Sequence, residues 1–547
     1  MAERLRAGEK DVRAGALGRG RRWSALLLAA LLGAAVGGCA SQPKLVPVDM
    51  RNVIDRENVD YPGGFQFEPF IRNLTAPTAI AFDDKGSILI AESPPGEEPR
   101  IFGYRTNGQY FDVYPLGRRL PFSFSNSSWR MYGPIGGMIF YQGRLYVSHR
   151  DERGFGLITA LDYQGHHTTI VGGLPAQGEY SVTDMAIWNG RLFFGLGTGT
   201  NSGIVGLDDW AIGWPRRYAD FHDVPWGPNG GELDLRGLRF TSPNPLAGLF
   251  GPAEEAATAA YQAFNFSDRT TVEASPTFRN KPSGAIFSVD PAGGEARLEA
   301  YGIHNPRGLA FNEYGRLYFT DDGMEMRGTR PIRNDPDSLL RLVPGVPWYG
   351  WPDYSADLQP ISDPRYQPKP IELIIRSGYP QVLFLIDQEA SGLTPPSRDP
   401  LLGAAFPSQS GAAKLTFVSG DMPGWSDYRG DAIICQSGDR APFATSDQKL
   451  IGPIGYKVVL VNVDSHEVSD FIHNTAGVPR HLVPGQNPDL LERPIDAKFG
   501  PDGMLYILDF GQMRDRTGKL EVAGGTGQVF RLMPTKPDNT PKGPIGR

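Results

Sequence analysis

One pattern recurs along this chain and restricts its fold more than any other feature. It is a short apolar run, a turn carrying glycine, and a second apolar run. The clearest copies are "TAIAFDDKGSILIAES", "GGMIFYQGRLYVSHR", "TDMAIWNGRLFFGLG", "RGLAFNEYGRLYFTDD" and "IDAKFGPDGMLYILDF", with a weaker one in "AKLTFVSGDMPGWSDYRGDAIICQS". The alternation in "RLYVS" and "MLYIL" is that of strands with one buried face. The Gly or Asp-Gly between the runs supplies the left-handed turn residue that closes a hairpin. Third strands follow several copies, as in "RIFGYRTNG", "GLITALDYQG", "YKVVLVNVDS" and "GQVFRLMPT". A unit of three to four strands, repeated about six times, predicts an all-β six-bladed β-propeller in which each sheet packs on its neighbours. A β-sandwich satisfies the alternation too, but has no reason to repeat one strand–glycine–strand motif so often. The 68 glycines and 48 prolines among 547 residues suit many strands joined by turns and argue against a helical protein.

The N-terminus stands apart from the repeat. Basic residues end in Arg19-Gly20-Arg21-Arg22, and "WSALLLAALLGAAVGG" follows, too short and too rich in small residues for a good membrane span. This reads as an export signal. Its end, Val36-Gly37-Gly38-Cys39, resembles a bacterial lipobox, in which the cysteine becomes the lipidated first residue. The alternative is an ordinary signal peptide with an incidental cysteine. The expected layout is a lipoprotein-type signal peptide at 1–38, a polar tether at 39–64, the propeller at 65–535 and a tail at 536–547. On this reading the protein is exported and held outside the cytoplasmic membrane, in the periplasm or at the outer membrane, through a lipid anchor only. The second cysteine, Cys435, sits in the strand pattern "DAIICQSG" and reads as a buried, inert thiol. No C-x-x-C-H occurs, so the chain carries no covalent haem motif. A net charge of −7 gives no sign of a nucleic-acid surface.

Long insertions interrupt the repeat near 207–280 and 346–410 and are expected on one face of the propeller, where loops build sites. They hold "WAIGWPRRYADFHDVPWGPNGGELDLRG" and "WYGWPDYSADLQP", rich in Trp, Tyr, Pro and acids. Such aromatics either present flat faces to a sugar-like ligand or pin the loops to the scaffold.

The stretches "GIHNPRGLAF", "GRLYFTDDG" and "DPDSLLRLVPGVPWYGWPD" occur in order. Together they resemble the soluble glucose/sorbosone dehydrogenase family, in its sorbosone dehydrogenase-like branch. "TGTNSGIVGLDDW", "HDVPW" and "RPIDAKFGPDGMLYILDFG" extend the likeness over most of residues 65–535. The resemblance implies a six-bladed propeller that oxidises sugars or alcohols with pyrroloquinoline quinone (PQQ) held by a Ca²⁺ ion, passing electrons to an external acceptor. It also implies site residues. Cofactor contacts fall on His304, where the family has Arg, on Asn305, on Arg307 as a substitute for that Arg, and on Arg493. The calcium cage falls on Gly323, Met324 and Asp337. The family's catalytic His has no counterpart in "GEYSVTDMAIWNGRLFFG", which leaves Glu179 and Tyr180 at that place. Tyr180, with a reference pKa near 10, is a poor base at neutral pH, whereas Glu179 can accept a proton. Two alternatives stay open: a propeller of the same descent that binds a sugar or a protein without turnover, and a metal-dependent lactonase drawing ligands from the acidic turns at Asp321, Asp322, Glu325, Asp335 and Asp337.

Overall fold

The computed structural model describes residues 42–115 and 129–535, apart from 229–230, 246, 248–254, 265–270, 274–277, 346–347, 421, 445–446, 448–451 and 486. The expected leader, Cys39 and the tail at 536–547 lie outside the described residues.

Six antiparallel sheets of four or five strands follow one another round a ring, giving the six-bladed propeller. Blades 1 to 5 are continuous in sequence at 77–114, 138–174, 182–301, 306–405 and 412–474. Blade 6 is composite. Its three inner strands come from Pro494–Phe499, Leu505–Asp509 and Gly527–Pro534, and the fourth is Phe65–Leu74 from the other end of the chain. The innermost strands pack side by side in ring order: Pro77–Phe82, Met138–Tyr141, Val182–Trp188, Pro306–Phe311, Ala412–Phe417 and Pro494–Phe499.

The recurring turn has a local cause. In "NEYGR" the Asn312 side-chain oxygen accepts the N–H groups of Tyr314 and Arg316 at 3.1 and 3.0 Å, and Gly315 takes φ 74°. In blade 1 Asp83 accepts from Lys85 and Ser87 at 3.0 and 2.6 Å, with Gly86 at φ 79°. An Asx turn followed by a residue in the left-handed region folds the chain back on itself. The acidic end of the repeat also has a function in the fold. Asp321 accepts the N–H groups of Asn305 and His304 at 2.6 and 3.3 Å, and Asp509 accepts those of Glu492 and Arg493 at 2.6 and 3.1 Å. Glu92 accepts from Thr75 in the same way, at 2.7 Å. Each carboxylate thus fixes the segment that leads into an innermost strand, and two of those segments carry Asn305 and Arg493.

The stretch expected as a polar tether is instead part of the propeller rim from Pro43 onward. Lys44–Leu45 adds an edge strand to blade 6, and Val59–Asp60 adds one to blade 5. Val46, Ile54, Val59 and Tyr61 are buried, and the Tyr104 hydroxyl donates to the Pro43 carbonyl at 2.7 Å. The buried residues show no periodicity in the sequence, and Val48, Met50 and Val53 of the same stretch stay exposed.

The insertions behave as scaffold. Trp210, Trp214, Phe221 and Phe264 form a small core of their own, and Trp348, Trp351 and Tyr354 join the main core around blade 3. The two insertions meet where Leu235 bridges Ile386 and where the Arg236 guanidinium donates to the Ile386 carbonyl at 3.2 Å. The pinning role weighed for these aromatics is therefore the one they fill. Among the described residues the short α-helices, such as Pro370–Ser377, sit within the insertions, and no helix is long and apolar enough to cross a membrane. Cys435 is a buried free thiol, with burial pushing its pKa well up.

Ring closure is the point at which the fold is most open to test. Phe67 is fully buried on the closing strand and stacks on Phe530 at 5.0 Å. Phe67→Ala is expected to cost about 3–5 kcal/mol, read as a lower denaturant midpoint. An exposed-site control, Tyr314→Ala, should leave the midpoint within about 0.5 kcal/mol of wild type.

Candidate functional site

A cavity of about 420 Å³ opens on the propeller axis at the end where the innermost strands begin. Its deep part is formed by the strands themselves, through Thr78, Thr183, Ala413 and Lys414. Its outer wall comes from loops: Glu179–Ser181 before blade 3, Glu325 after the second strand of blade 4, Asp439–Arg440 in blade 5, and the hairpin Met513–Val522 in blade 6.

Seven of the nine residues expected at the site line this one cavity: Glu179, Tyr180, Asn305, Arg307, Gly323, Asp337 and Arg493. His304 and Met324 stand behind it. His304 packs edge-on against Tyr180 with ring centres 5.0 Å apart, and its Nδ1 donates to the Asp322 carbonyl at 2.8 Å. Burial holds its pKa down at about 4, so the ring is neutral and its Nε2 is buried without a partner. Met324 is buried in the blade 3 core, with its N–H donating to Asp335 at 2.8 Å.

The chemistry expected of Glu179 and Tyr180 has to be revised. Glu179 is bound by two guanidiniums, Arg327 and Arg440, the latter at 2.7 Å. Despite the opposing effect of burial, those two charges hold its pKa at about 2, so it is a carboxylate too weakly basic to abstract a hydroxyl proton. Burial first, and then the neighbouring Glu179 and Glu325 carboxylates, push the Tyr180 phenol well above its ordinary value. It is held as a neutral phenol.

One carboxylate in the lining is placed differently. Asp322 accepts from the Asn305 side-chain amide at 2.8 Å and meets Arg307 only at 3.4 Å, with 18 % of its side chain exposed to the cavity. Burial is the main cause raising its pKa to about 7, with Arg307 opposing and Asp337 adding to the rise. A group poised near neutrality and open to a cleft is what general acid–base chemistry requires. Asp337, Glu325 and Asp515, also in the lining, each have at least one oxygen held by a partner. Asp337 accepts from the Gly323 N–H at 2.9 Å, the Ser410 hydroxyl at 2.7 Å, and the Gly411 and Ala412 N–H groups at 2.7 and 3.1 Å. Glu325 pairs with Arg327, and Asp515 with Arg440 at 2.7 Å.

The fit of the expected cofactor divides. A flat quinone bearing carboxylates needs cations and free donors. Arg307, Lys414 and Arg493 line the cavity, and Arg493 Nε is buried without a partner. Arg307 makes only long contacts, to Asp322 and to the Ser437 hydroxyl at 3.3 Å. Lys414 is steadied by the Thr78 carbonyl at 2.8 Å and Asp496 at 3.2 Å. These residues fit an anionic planar group. The calcium cage is less complete. Three of the four donors on Asp337 fall on Oδ2 and Oδ1 accepts only the Gly323 N–H, so one oxygen keeps a lone pair for a hard cation, while among the described residues no group of three His, Cys, Asp or Glu side chains converges as a metal site. Asp337 also ties blade 4 to blade 5.

Arg440, Lys414 and Asp515 are site residues not anticipated from the sequence. A signal for two of them is present: each follows the second strand of its blade, as Asp322 does in "TDDG", Arg440 in "QSGDR" and Asp515 in "DFGQMRD".

No protein-family model matches the chain, and no curated protein matches it. Solved structures do. The holo PQQ domain of pyranose dehydrogenase from Coprinopsis cinerea is 14% identical, covers 88% of this chain and 98% of its own, and has a TM-score of 0.46. A glucose dehydrogenase-type oxidoreductase from Thermus thermophilus is 17% identical over 86% of this chain and 100% of its own, with a TM-score of 0.42. The PQQ-bound aldose sugar dehydrogenase of Streptomyces coelicolor is 12% identical over 86% and 99%, with a TM-score of 0.43. The soluble PQQ-dependent sugar dehydrogenases are thus among the structures this chain is similar to. At these values the account of the site rests on its own residues.

Asp337→Ala strands four buried donors, which costs about 1–3 kcal/mol for each one left unsatisfied. The melting temperature is expected to fall equally in calcium and in EGTA. A fall confined to the calcium condition would make Asp337 a metal ligand.

Proposed function

We propose that the chain is a quinone-dependent sugar dehydrogenase, taking a polyhydroxylated substrate and a PQQ-type cofactor into the axial cavity. The observation that carries this reading is the convergence of Asn305, Arg307, Lys414 and Arg493 with the poised Asp322 on one cavity at the propeller axis. Arg307, Lys414 and Arg493 are the groups that would hold the cofactor's carboxylates. The bound quinone would supply a two-electron acceptor for the hydride leaving the sugar's C1 carbon.

The chain's own part is positioning and proton transfer. An Asp322 oxygen takes the proton of the C1 hydroxyl as its C–H bond is lost as hydride, which leaves a lactone. The Asn305 amide holds Asp322 in place, and Arg307 sits near enough to stabilise the carboxylate without pinning it. Tyr180 closes the wall beside His304 and keeps that part of the cavity free of water. The electrons then pass to an external acceptor. Export and anchoring rest on the lipobox-like motif: fatty-acid labelling of the wild type, absent in Cys39→Ser, is the expected result.

Only the deprotonated base accepts a proton. With a pKa of about 7, activity should therefore rise as pH passes up through 7 and be lost below it. The test is reconstitution with PQQ, with and without Ca²⁺, followed by dye reduction with a panel of aldoses. Asp322→Asn is expected to lower kcat/KM by about 10²–10⁴-fold and to remove the rise with pH, whereas Glu179→Gln should leave that rise in place. Full activity in Asp322→Asn would refute the assignment. A second reading, a sugar-binding propeller without turnover, is favoured by one observation, the sequestering of Glu179, Tyr180 and His304. It predicts sugar binding with no dye reduction under any cofactor condition.

A further inference from the structure

The outer wall of the cavity carries more negative than positive charge. Arg440 is met by Glu179 at 2.7 Å, by Asp515 at 2.7 Å and by Glu325 at 3.6 Å. Arg327, behind the wall, is met by Glu179, by Glu325 and by Asp208 at 2.6 Å. Four carboxylates thus face two guanidiniums. Phe443 lies between the two arginines, with guanidinium carbons 5.0 and 4.8 Å from its ring centre, so neither cation is free to swing away. The excess charge is fixed in place.

Oxygens of the same wall are left without donors. Asp515 gives one oxygen to Arg440, while its Oδ1 is buried with no partner, although the side chain is only 1 % exposed. Glu325 gives Oε2 to Arg327, and its Oε1 meets only the Gln409 amide at a long 3.4 Å. Asn305 Oδ1, also in the lining, has no partner either. A buried, unpaired carboxylate oxygen is costly unless a donor arrives with the ligand. The donor that relieves both the missing hydrogen bonds and the surplus charge is a cation with several N–H groups.

We propose that this wall is a subsite for a protonated amine, received by Asp515 and Glu325, and that the substrate class of the cavity is an amino sugar. The proposal rests on the sugar-oxidising reading above and deepens it by naming the group recognised away from the reacting carbon. A neutral sugar offers only hydroxyl donors at that wall. A sugar acid brings a like charge against Glu325 and Asp515 and is rejected by that wall.

The test is calorimetric titration of the purified full chain with glucosamine, glucose, N-acetylglucosamine and glucuronate, at a pH that keeps the amine charged. The expected order is glucosamine about tenfold tighter than glucose and N-acetylglucosamine no tighter than glucose, with glucuronate reading Arg307, Lys414 and Arg493 of the same cavity, and its affinity unchanged in Asp515→Asn. Acetylation removes the charge and two of the three N–H donors but also adds an acetyl group, so glucose, which is smaller and neutral, is the control for size, and neither comparison needs a variant to fold. In Asp515→Asn, and separately in Glu325→Gln, the ratio of glucosamine to glucose affinity should fall toward one. Glucose or N-acetylglucosamine binding as tightly as glucosamine would overturn the subsite, even if dye reduction with neutral aldoses upheld the sugar-oxidising reading. Glucosamine bound with the stated preference but never oxidised would uphold the subsite and remove that reading. No binding of any of the four sugars would overturn both.

Discussion

The pairing of Phe65–Leu74 with Gly527–Pro534 is the interaction on which the molecule depends. It brings the first strand of the propeller to the last and closes the ring. Without it blade 6 ends at three strands and exposes the apolar face that Phe67 and Phe530 now share. Closure also brings six innermost strands together at one axis, so that residues more than three hundred positions apart, Asp184 and Lys498, come within 3.6 Å. The cavity is a consequence of that geometry. It lies where the strands begin, and the segments entering them carry its side chains.

Inside the cavity the decisive quantity is how each carboxylate is partnered. Glu179, held by two arginines, and Asp337, held by four donors, are fixed and chemically quiet. Asp322 has one neutral donor and one distant cation, and burial outweighs both. The same side-chain type thus serves as a charge anchor, a structural brace and a candidate base within one site, and its environment alone separates the three.

The fold was legible in the sequence because its signal is local and repeated. Asn312 and Gly315 make a turn that any reader of "NEYGR" expects, and the copies recur in every blade but one weak case. The rim strands Lys44–Leu45 and Val59–Asp60 were not legible, since each is a two-residue pairing decided by a partner far along the chain. The site was legible in part. Asn305, Arg307 and Arg493 stood out through the resemblance and do face one cavity. His304 and Met324 stood out equally but stand behind the cavity, His304 packed between Tyr180 and Trp351 and Met324 buried in the core. Asp337 was read as a ligand through the resemblance. The positions of Ser410 and Gly411, delivered by the next blade, show that its Oδ2 also braces blade 4 against blade 5. Glu179 looked like a free base in sequence because Arg327 and Arg440 lie 148 and 261 residues away.

A crystal structure of the protein soaked with PQQ and a substrate-like sugar tests the central claim most directly. The account predicts quinone density in the deep cavity against Lys414, Arg307 and Arg493, with the sugar's C1 hydroxyl in hydrogen-bond reach of Asp322. Quinone or sugar bound elsewhere on the propeller, or a sugar whose C1 hydroxyl meets Glu179 with Asp322 turned away, would contradict it.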